Sequence, residues 1–377
     1  MAPFGQKRAL LLTDVAAPGG IDTYMCGLYR EAVKAGWSVT VMIDTNKGAN
    51  RLATMLGKLG APTLRAPMYH RVNNEDVQRN ATQAVINVAR PDVVHAVCGA
   101  PWQTLVPREV TLTNKLPLVF TEQFVSPGFS FDPDTHARLR NLYRKSKKVI
   151  AVSRISGDLL RGEYGLDGNI QVIPNPVPLT SIEPISKDET RRIHRSLGLM
   201  RRDFQAITVA RCAEQKGLDI LVKAIVLLPA AVRNRIHFSV FGDGPDRRAL
   251  IDLACSLGVD DTISFLGWRS KVRKILPAFD LFVLPSRQEG QPLALAEALA
   301  ATRPVIATKV SGIPEMLDNG AGGDLIRSES PEALAEAMEK FIENPTPLRV
   351  KAEYGFRYVR RYHSAAKNLA RTVRLWE

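Results

Sequence analysis

The sequence predicts an α/β protein of two domains, each with a parallel β-sheet that is covered by helices on both faces. Two observations lead to this prediction. Short apolar runs of strand length alternate with longer segments of helical pattern, and such alternation is typical of parallel sheets. A proline-rich segment interrupts the alternation near the middle of the 377 residues, and a chain of this length suits two domains of ordinary size.

The apolar runs predict strands in both halves of the chain. In the first half they are residues 9–12, 38–43, 93–96, 118–121 and 149–152. In the second half they are residues 206–210, 237–241, 262–266, 281–284 and 305–307. Helical stretches such as residues 20–36 lie between them.

The boundary between the halves is predicted from prolines. The segment Ile173-Pro174-Asn175-Pro176-Val177-Pro178, with Pro184 beyond it, has the composition of a linker. We therefore predict a first domain at residues 1–178 and a second domain at residues 179–355. The remaining residues, about 356–377, have the pattern of a basic terminal helix.

Composition is that of a folded cytoplasmic protein. Apolar residues make up 45% and charged residues 24%, which favours a packed core over disorder. No stretch approaches the roughly 18 apolar residues of a membrane-spanning helix, and the apolar run at 9–12 is too short for a signal peptide. The four cysteines are Cys26, Cys98, Cys212 and Cys255. Because they are scattered without paired spacing, we expect neither a zinc site nor disulfides.

The formal net charge of +13 calls for an explanation. Because the basic residues carry no base-stacking motif or recognition helix, we expect no nucleic-acid partner. An anionic membrane surface is the other candidate partner. One basic cluster consists of Arg138, Arg140, Arg144, Lys145, Lys147 and Lys148. Three apolar or aromatic residues lie between these cations: Leu139, Leu142 and Tyr143. A second basic cluster consists of Lys47, Arg51, Lys58, Arg65 and Arg71. Four apolar residues lie between these cations: Leu52, Met55, Leu56 and Leu59. Each is either a helix that rests on a membrane or a solvated helix face.

Two glutamates, Glu289 and Glu297, lie where a predicted strand is followed by a loop and a helix. Pro292 suits the first turn of that helix, where its missing N–H costs nothing. The loop amides and the helix N-terminus then favour an anion. Carboxylates in the loop and in the helix could hold two hydroxyl-bearing parts of one phosphorylated ligand. The alternative is two ordinary surface glutamates.

The flanking pattern resembles the retaining glycosyltransferases of family 4, which have the GT-B fold. Their signature is matched by Glu289-Gly290-Gln291-Pro292, Glu297-Ala298-Leu299-Ala300 and Pro304-Val305-Ile306. The resemblance continues at Gly312-Ile313-Pro314-Glu315, Gly322-Gly323, Ala210-Arg211, Lys216-Gly217-Leu218-Asp219, Phe241-Gly242-Asp243-Gly244-Pro245 and Phe265-Leu266-Gly267. Residues 205–326 match closely, whereas the first half matches more loosely, for example at Gly19-Gly20-Ile21.

The resemblance implies two Rossmann-like domains that face each other across a cleft holding the active site. It also implies that the terminal helix packs back on the first domain. Arg211 and Lys216 would bind the diphosphate of a nucleotide-sugar donor and stabilise the charge that develops on the leaving group. Glu289 would hold a sugar hydroxyl, and Glu297 the ribose of the nucleotide.

Further donor contacts are implied for backbone groups. The amides of Gly290, Gln291 and Leu293 would lie at the phosphates and the sugar. Gly19 and Gly20 would let the backbone approach the donor phosphate or the acceptor, because glycine leaves room there. The alternative for these two glycines is a simple turn between a strand and a helix.

Two positions depart from the family pattern. Many members have a histidine that contacts the transferred sugar, and this chain has Gln123 there, in Thr121-Glu122-Gln123-Phe124. A glutamine can hydrogen-bond a hydroxyl but cannot act as an acid or base. The family's Asn-Gly-Val-Asp is replaced by Asn175-Pro176-Val177-Pro178. His95, at the end of a predicted strand, is either a second sugar contact or a structural residue.

Competing motifs are weak. Asp132-Pro133-Asp134 resembles a metal-binding Asp-x-Asp but follows a loop, so we interpret it as turn chemistry. Gly242 and Gly244 lack the third glycine of a dinucleotide fingerprint, which disfavours an NAD enzyme. We therefore expect no cofactor and no metal, so that Arg211, Lys216 and helix dipoles would meet the leaving-group charge.

The resemblance thus predicts a retaining glycosyltransferase that moves a hexose from a UDP- or GDP-linked donor to a hydroxyl of a glycan or lipid-linked acceptor. Its place would be bacterial envelope or surface-glycan synthesis, in the cytoplasm or on the inner face of the membrane. Two alternatives stay open: a GT-B sugar-nucleotide epimerase, and a catalytically weak GT-B protein that binds a membrane or a partner.

Overall fold

The computed structural model describes residues 5–15, 19–68, 74–177, 182 and 184–377. The chain divides into two compact units. The first combines Met1–Pro176 with Ala365–Glu377, and the second is Val177–Ser364. The sequence predicted the boundary at residue 178, which lies outside the described residues. It also predicted that the chain rejoins the first domain at about residue 356, whereas the first unit resumes at Ala365.

The first unit is built on a seven-stranded parallel sheet. Its strands are β1 (Arg8–Thr13), β2 (Ser38–Asp44), β3 (Thr63–Ala66), β4 (Val93–Cys98), β5 (Leu118–Glu122), β6 (Lys148–Ala151) and β7 (Ile170–Val172). They are ordered β3-β2-β1-β4-β5-β6-β7, so the direction of strand addition reverses between β1 and β4. Its helices are α1 (Gly20–Lys34), α2 (Asn50–Gly57), α3 (Glu75–Ala89), α4 (Leu105–Thr113), α5 (Pro133–Lys145), α6 (Arg154–Arg161) and, at the end of the chain, α16 (Ala365–Arg374).

Helices cover this sheet on both faces, which explains why its strands are almost continuously apolar. In β1, Ala9 and Leu11 belong to the core on one face, and Leu10 and Leu12 belong to the core on the other. Successive side chains point to opposite faces of a strand, so a strand that is covered twice needs an apolar residue at nearly every position.

The second unit repeats this architecture with six parallel strands. They are β8 (Phe204–Val209), β9 (Ile236–Phe241), β10 (Ile263–Gly267), β11 (Leu281–Leu284), β12 (Val305–Thr308) and β13 (Asp324–Ile326). Their order is β10-β9-β8-β11-β12-β13, and the reversal falls between β8 and β11. The helices are α7 (Lys187–Ser196), α8 (Leu218–Leu227), α9 (Ala230–Arg233), α10 (Arg247–Ser256), α11 (Val272–Ile275), α12 (Leu293–Ala300), α13 (Ile313–Met316), α14 (Pro331–Glu343) and α15 (Thr346–Tyr362). Across both units, short 3-10 helices occur at Lys47–Ala49, Glu214–Lys216, Leu276–Ala278 and Asp318–Gly320.

All strands predicted from apolar runs are present, and the structure adds β3, β7 and β13. Each of the added strands lies at an edge of its sheet. They have three or four residues and are only partly buried, so they lack the apolar run that identifies a central strand. None of the described helices is long and apolar enough to cross a membrane.

The end of the chain consists of two helices rather than the single predicted one. Helix α15 ends at Tyr362 within the second unit, and α16 begins at Ala365 and packs against α1 of the first unit. Beyond α16, Trp376 is buried, with its ring edge-on to that of Trp37 at a centroid distance of 5.3 Å. This aromatic contact fixes the last residues to the first unit.

Trp376→Ala should therefore lower the free energy of unfolding of the first unit by about 3–5 kcal/mol, the usual cost of removing a buried tryptophan side chain. Urea unfolding followed by circular dichroism measures the change. Arg374→Ala, at an exposed position two residues earlier, is the control and should stay within about 0.5 kcal/mol of the parent. Equal stability of the two variants would contradict the anchoring role of Trp376.

Candidate functional site

The strongest candidate site lies in the second unit, where the strand order reverses between β8 and β11. In open parallel sheets, ligands bind outside the carboxyl ends of the strands at such a reversal. The loop after β8 carries Arg211 and Lys216, and the loop after β11 carries Glu289. The topology therefore brings three of the residues singled out in the sequence to one edge of one sheet.

Lys216 and Glu289 form a direct ion pair. The Nζ atom of Lys216 donates to Oε1 of Glu289 at 2.7 Å. Ser286 donates its Oγ hydrogen to the same Oε1 at 2.8 Å, and the backbone N–H of Glu289 donates to Oγ of Ser311 at 3.3 Å. Only 5% of Glu289 is exposed, so these bonds hold the carboxylate in one position.

The loops that carry this pair pack backbone against backbone. Gly217 has a left-handed φ of +60°, and a β-carbon there would lie 2.1 Å from the carbonyl oxygen of Pro285. Only glycine allows the loop after β8 to approach the end of β11 so closely. Gln215 strengthens the contact, because its carbonyl accepts from the N–H of Arg287 at 2.8 Å and its side chain donates to the carbonyl of Gln288 at 3.0 Å.

The same loop is braced by Arg287, which the sequence analysis did not single out. Its guanidinium donates two hydrogen bonds to Asp219, at 2.7 and 2.9 Å, and a third to Glu329. Burial raises the pKa of Asp219, but the hydrogen bonds and charges of Arg287 and Lys223 together outweigh it, so the pKa lies below its usual value. Its position two residues before Glu289, in the loop that the family signature identifies, is the sequence feature that could have drawn attention to Arg287.

Arg211 follows β8 directly and is exposed. No ion pair within the described part of the chain involves its side chain. The adjacent loop after β9 is pressed against the same segment, since Gly242 has a φ of +154° and a β-carbon there would lie 1.8 Å from the carbonyl oxygen of Ala210. Arg211 is thus a free cation on a rigid loop.

Glu297 lies in the second turn of α12 and is half-buried. Burial raises its pKa, and the positive charge of Arg273 on α11 opposes this rise. The helix begins at Leu293 with Pro292 as its N-cap, so the predicted order of loop, proline and helix is present. Gly290 and Gln291 lie between Glu289 and this helix start, and the carbonyl of Gly290 accepts from Gly312 N–H at 3.1 Å.

In the first unit, the glycine loop is described only in part, because residues 16–18 lie outside the described residues. Gly19 precedes α1, and Gly20 is its first residue. The N–H of Gly19 donates to Asp22 at 3.3 Å, and Arg51 lies 3.6 Å from the same carboxylate. Burial raises the pKa of Asp22 to about 6. Asp22 therefore holds the start of this helix, and the donor contact of the glycines stays a prediction.

Gln123 follows β5, and its backbone N–H donates to the carbonyl of Cys98 at 2.9 Å. Its side-chain Nε2 is buried and has no hydrogen-bond partner among the residues that the structure describes. A buried donor without a partner is costly, so a ligand oxygen here would be stabilised. This is consistent with the predicted sugar contact but does not test it.

The strand that carries His95 is longer than the sequence predicted. The strand β4 continues to Cys98, so His95 lies inside the strand and is fully buried. Its Nδ1 accepts from Nε1 of Trp376 at 2.9 Å, which leaves the proton on Nε2, 2.9 Å from Oγ1 of Thr121. Burial lowers its pKa to about 3. Since both ring nitrogens are engaged, the structure favours a structural histidine over a sugar contact.

The metal-like motif is also structural. Asp132 is the N-cap of α5, and its Oδ1 accepts from the N–H of Thr135 at 3.0 Å. Within the described ranges, no group of three or more His, Cys, Asp or Glu side chains could hold a metal ion. Independence from a metal nevertheless stays a prediction.

The two basic clusters do not present the apolar face that a membrane-resting helix needs. On α5, Leu139, Leu142 and Tyr143 are buried, and Arg138 pairs with Glu75 and Glu109 at 2.7 Å each. Its exposed cations are Arg140, Arg144 and Lys145. Along α2, Leu52 and Leu56 are likewise buried and Arg51 contacts Asp22, whereas Arg71 lies outside the described residues. On both helices the apolar side chains are therefore packed toward the core, and the described cations lie on the outer side.

Comparisons with known proteins identify the family of both halves of the chain. Residues 189–357 match the family described as Glycosyl transferases group 1, and residues 18–181 match the one described as Glycosyltransferase Family 4. The putative colanic acid biosynthesis glycosyltransferase WcaL of Salmonella typhimurium is 34% identical over 182 residues, which are 46% of this chain and 45% of that protein. The UDP-Gal:alpha-D-GlcNAc-diphosphoundecaprenol alpha-1,3-galactosyltransferase of Escherichia coli is 28% identical over 282 residues, which are 72% of this chain and 67% of that enzyme.

A solved structure shares the whole fold. The crystal structure of Anabaena Alr3699/HepE in complex with UDP and glucose is similar over 98% of both chains, with a TM-score of 0.83 and 19% identity. This similarity and the two parallel-sheet units show that the chain has the GT-B fold. With both halves of the chain matched, the protein belongs to the glycosyl transferases of group 1. The chain spans about half the length of the first curated relatives it matches.

Proposed function

We propose that the protein transfers a hexose from a UDP- or GDP-linked donor to an acceptor hydroxyl, with retention of configuration at the anomeric carbon. The observation that carries this proposal is the ion pair of Lys216 and Glu289 at the strand reversal of the second sheet. A cation and a carboxylate are fixed there side by side, and the exposed cation Arg211 belongs to the same loop after β8 as Lys216.

This arrangement suits a sugar diphosphate. The ammonium group of Lys216 has three N–H donors, so it can keep its bond to Glu289 and still donate to a phosphate oxygen. The guanidinium of Arg211 can add a charge-assisted contact to the same diphosphate. Both bonds from Lys216 and Ser286 end on Oε1 of Glu289, so Oε2 is the oxygen through which a sugar hydroxyl would be held.

We infer the chemical step from the family resemblance, with these residues in the roles that it implies. The bond between the anomeric carbon and the diphosphate breaks, and its electron pair leaves with the diphosphate. Lys216 and Arg211 stabilise the growing negative charge. The acceptor oxygen bonds to the anomeric carbon on the face that the diphosphate leaves, and the acceptor's hydroxyl proton passes to the departing phosphate. Glu289 fixes the sugar, and Glu297 holds the nucleotide ribose.

The acceptor is proposed to be a glycan or a lipid-linked sugar in the synthesis of a bacterial envelope or surface polysaccharide. The names of the relatives support this class, since one concerns colanic acid and another a diphosphoundecaprenol-linked sugar. The site of synthesis would be the cytoplasm or the inner face of the cytoplasmic membrane.

A donor screen tests the proposed function. Purified protein is mixed with UDP- and GDP-linked hexoses, and release of the nucleoside diphosphate is measured with and without a chelator. We expect release from one hexose donor, unchanged by the chelator. Because no acceptor is present, water takes the sugar, and the hexose should first appear with the anomeric configuration that it had in the donor. Interconversion of sugar nucleotides without release would indicate an epimerase instead. Binding of no donor at all would favour a protein that serves as a binding subunit.

A further inference from the structure

Helix α15 carries a row of tyrosines that no proposed step of the reaction uses. Val350, Tyr354, Tyr358 and Tyr362 follow one another at intervals of four residues, which places them along one side of the helix. Val350 is 62% exposed, Tyr354 36% and Tyr362 44%. A different side of α15 is buried against α12 and carries Leu348, Ala352, Gly355 and Val359.

The rings of this row touch one another and form a rigid ridge. Tyr354 and Tyr358 stack with their centroids 6.4 Å apart, and Tyr358 and Tyr362 lie 4.6 Å apart. The hydroxyl of Tyr354 also donates to Asp318 at the neighbouring 3-10 helix. Tyr358 is partly buried and joins the exposed rings on either side of it. Aromatic surface that is exposed as a group, rather than as scattered single residues, is typical of an interaction site.

Cations flank the ridge. Arg357, Arg360 and Arg361 are exposed, and none of them belongs to an ion pair within the described ranges. The guanidinium of Arg361 lies over the ring of Tyr362 at 5.4 Å, and that of Arg360 lies over the ring of Phe356 at 5.2 Å. The helix contains a single acidic residue, Glu353.

We propose that this tyrosine–arginine surface, formed by Val350, Tyr354, Tyr358 and Tyr362 with Arg357, Arg360 and Arg361, docks on an anionic phospholipid bilayer. Tyrosine rings are amphipathic and reside at the headgroup level of membranes. Arginine stems lie along apolar groups while their charges reach the phosphates. Unpaired cations on one helix are attracted to the negative surface of the cytoplasmic leaflet.

The contrast with α5 explains why α15 is the better membrane surface. On α5 the apolar side chains face the core, so only charge is left outside, and Arg138 is neutralised by two glutamates. On α15 the aromatic rings and the unpaired cations share the exposed side. A protein partner could also use tyrosine and arginine, but interface cores are depleted in charge, whereas a helix with five cations and one acid suits an anionic plane.

Co-sedimentation with vesicles tests the proposal without depending on catalysis. The parent protein is mixed with vesicles of phosphatidylcholine alone, or with added phosphatidylglycerol, at ionic strengths of ~0.02 M and ~0.5 M. We expect sedimentation with the anionic vesicles at low salt, weaker binding at high salt, and little binding to neutral vesicles.

Two variants with the same charge change provide the decisive comparison. Arg357→Gln/Arg360→Gln/Arg361→Gln on α15 should lower vesicle binding by roughly tenfold or more, since each cation near the membrane contributes separately. Arg140→Gln/Arg144→Gln/Lys145→Gln on α5 also removes three exposed cations and should stay within about twofold of the parent. Tyr354→Ser/Tyr362→Ser should also weaken binding, whereas Tyr354→Phe/Tyr362→Phe should retain most of it.

Three outcomes would overturn the proposal. The parent protein could stay in the supernatant with anionic vesicles at low salt, which would exclude the bilayer as partner. The α5 variant could lose as much binding as the α15 variant, which would indicate net charge rather than a defined surface. Sedimentation equilibrium could show self-association that is lost in the α15 variant without vesicle binding, which would indicate a contact between copies of the chain.

Discussion

Lys216→Ala is expected to slow turnover with the preferred donor by roughly 100-fold or more, the usual effect of losing one group that stabilises charge in a transition state. The leaving diphosphate gains negative charge as its bond to the sugar breaks, and Lys216 is the cation that the structure holds beside Glu289. Its removal also takes one of the two hydrogen bonds from Oε1 of a carboxylate that is almost fully buried. Both effects act on the same step.

Lys223→Ala is the matched control for this measurement. Lys223 lies on α8 one helix turn from Asp219, to which it donates at 3.3 Å, and its side chain is about half exposed. Its loss should change turnover by less than about twofold, because exposed helix pairs contribute little. Initial rates of nucleoside diphosphate release and circular dichroism are recorded for both variants. Near-parental turnover of a folded Lys216→Ala protein would remove Lys216 from the proposed chemistry.

Much of the fold could be predicted because central parallel strands are apolar at nearly every position. The run Leu281–Leu284 is buried throughout and was predicted with correct bounds. The edge strand β13 has three residues, of which only Ile326 is buried, so burial leaves little trace in its sequence. The break between α15 and α16 was missed, because both helices are basic and amphipathic and no proline or glycine separates them.

The candidate site could be predicted only where a local motif carries it. Glu289 and Lys216 lie 73 positions apart, and their contact follows from the pairing of β8 with β11. Ser311 comes from a further loop, and a serine has no signature of its own. His95 shows the same limit, since its partner Trp376 is 281 positions away and no pattern near either residue reports their contact.

Removal of Glu289 and removal of Glu297 are expected to affect different properties of the protein. Glu289→Ala should abolish detectable transfer while the affinity for the free nucleoside diphosphate changes only a few-fold, because Glu289 is assigned to the sugar. Glu297→Ala should chiefly weaken nucleotide binding, by roughly tenfold, the usual scale for losing a charged hydrogen-bond partner of the ribose. Calorimetric titration with UDP and GDP measures the affinities, and donor turnover measures the transfer.

Glu289→Gln and a double variant sharpen the assignment. A glutamine keeps the size of the side chain but lacks the charge that pairs with Lys216, so Glu289→Gln should also lose transfer while it stays folded. If Lys216 and Glu289 act as one unit, the loss in Lys216→Ala/Glu289→Gln should be much smaller than the product of the two single losses. Multiplicative losses would mean that the two groups act independently and that their 2.7 Å contact serves only the fold. Parental nucleotide affinity in both Glu289→Ala and Glu297→Ala would show that neither carboxylate holds the ribose. The assignment of Glu289 to the sugar and Glu297 to the nucleotide would then be wrong.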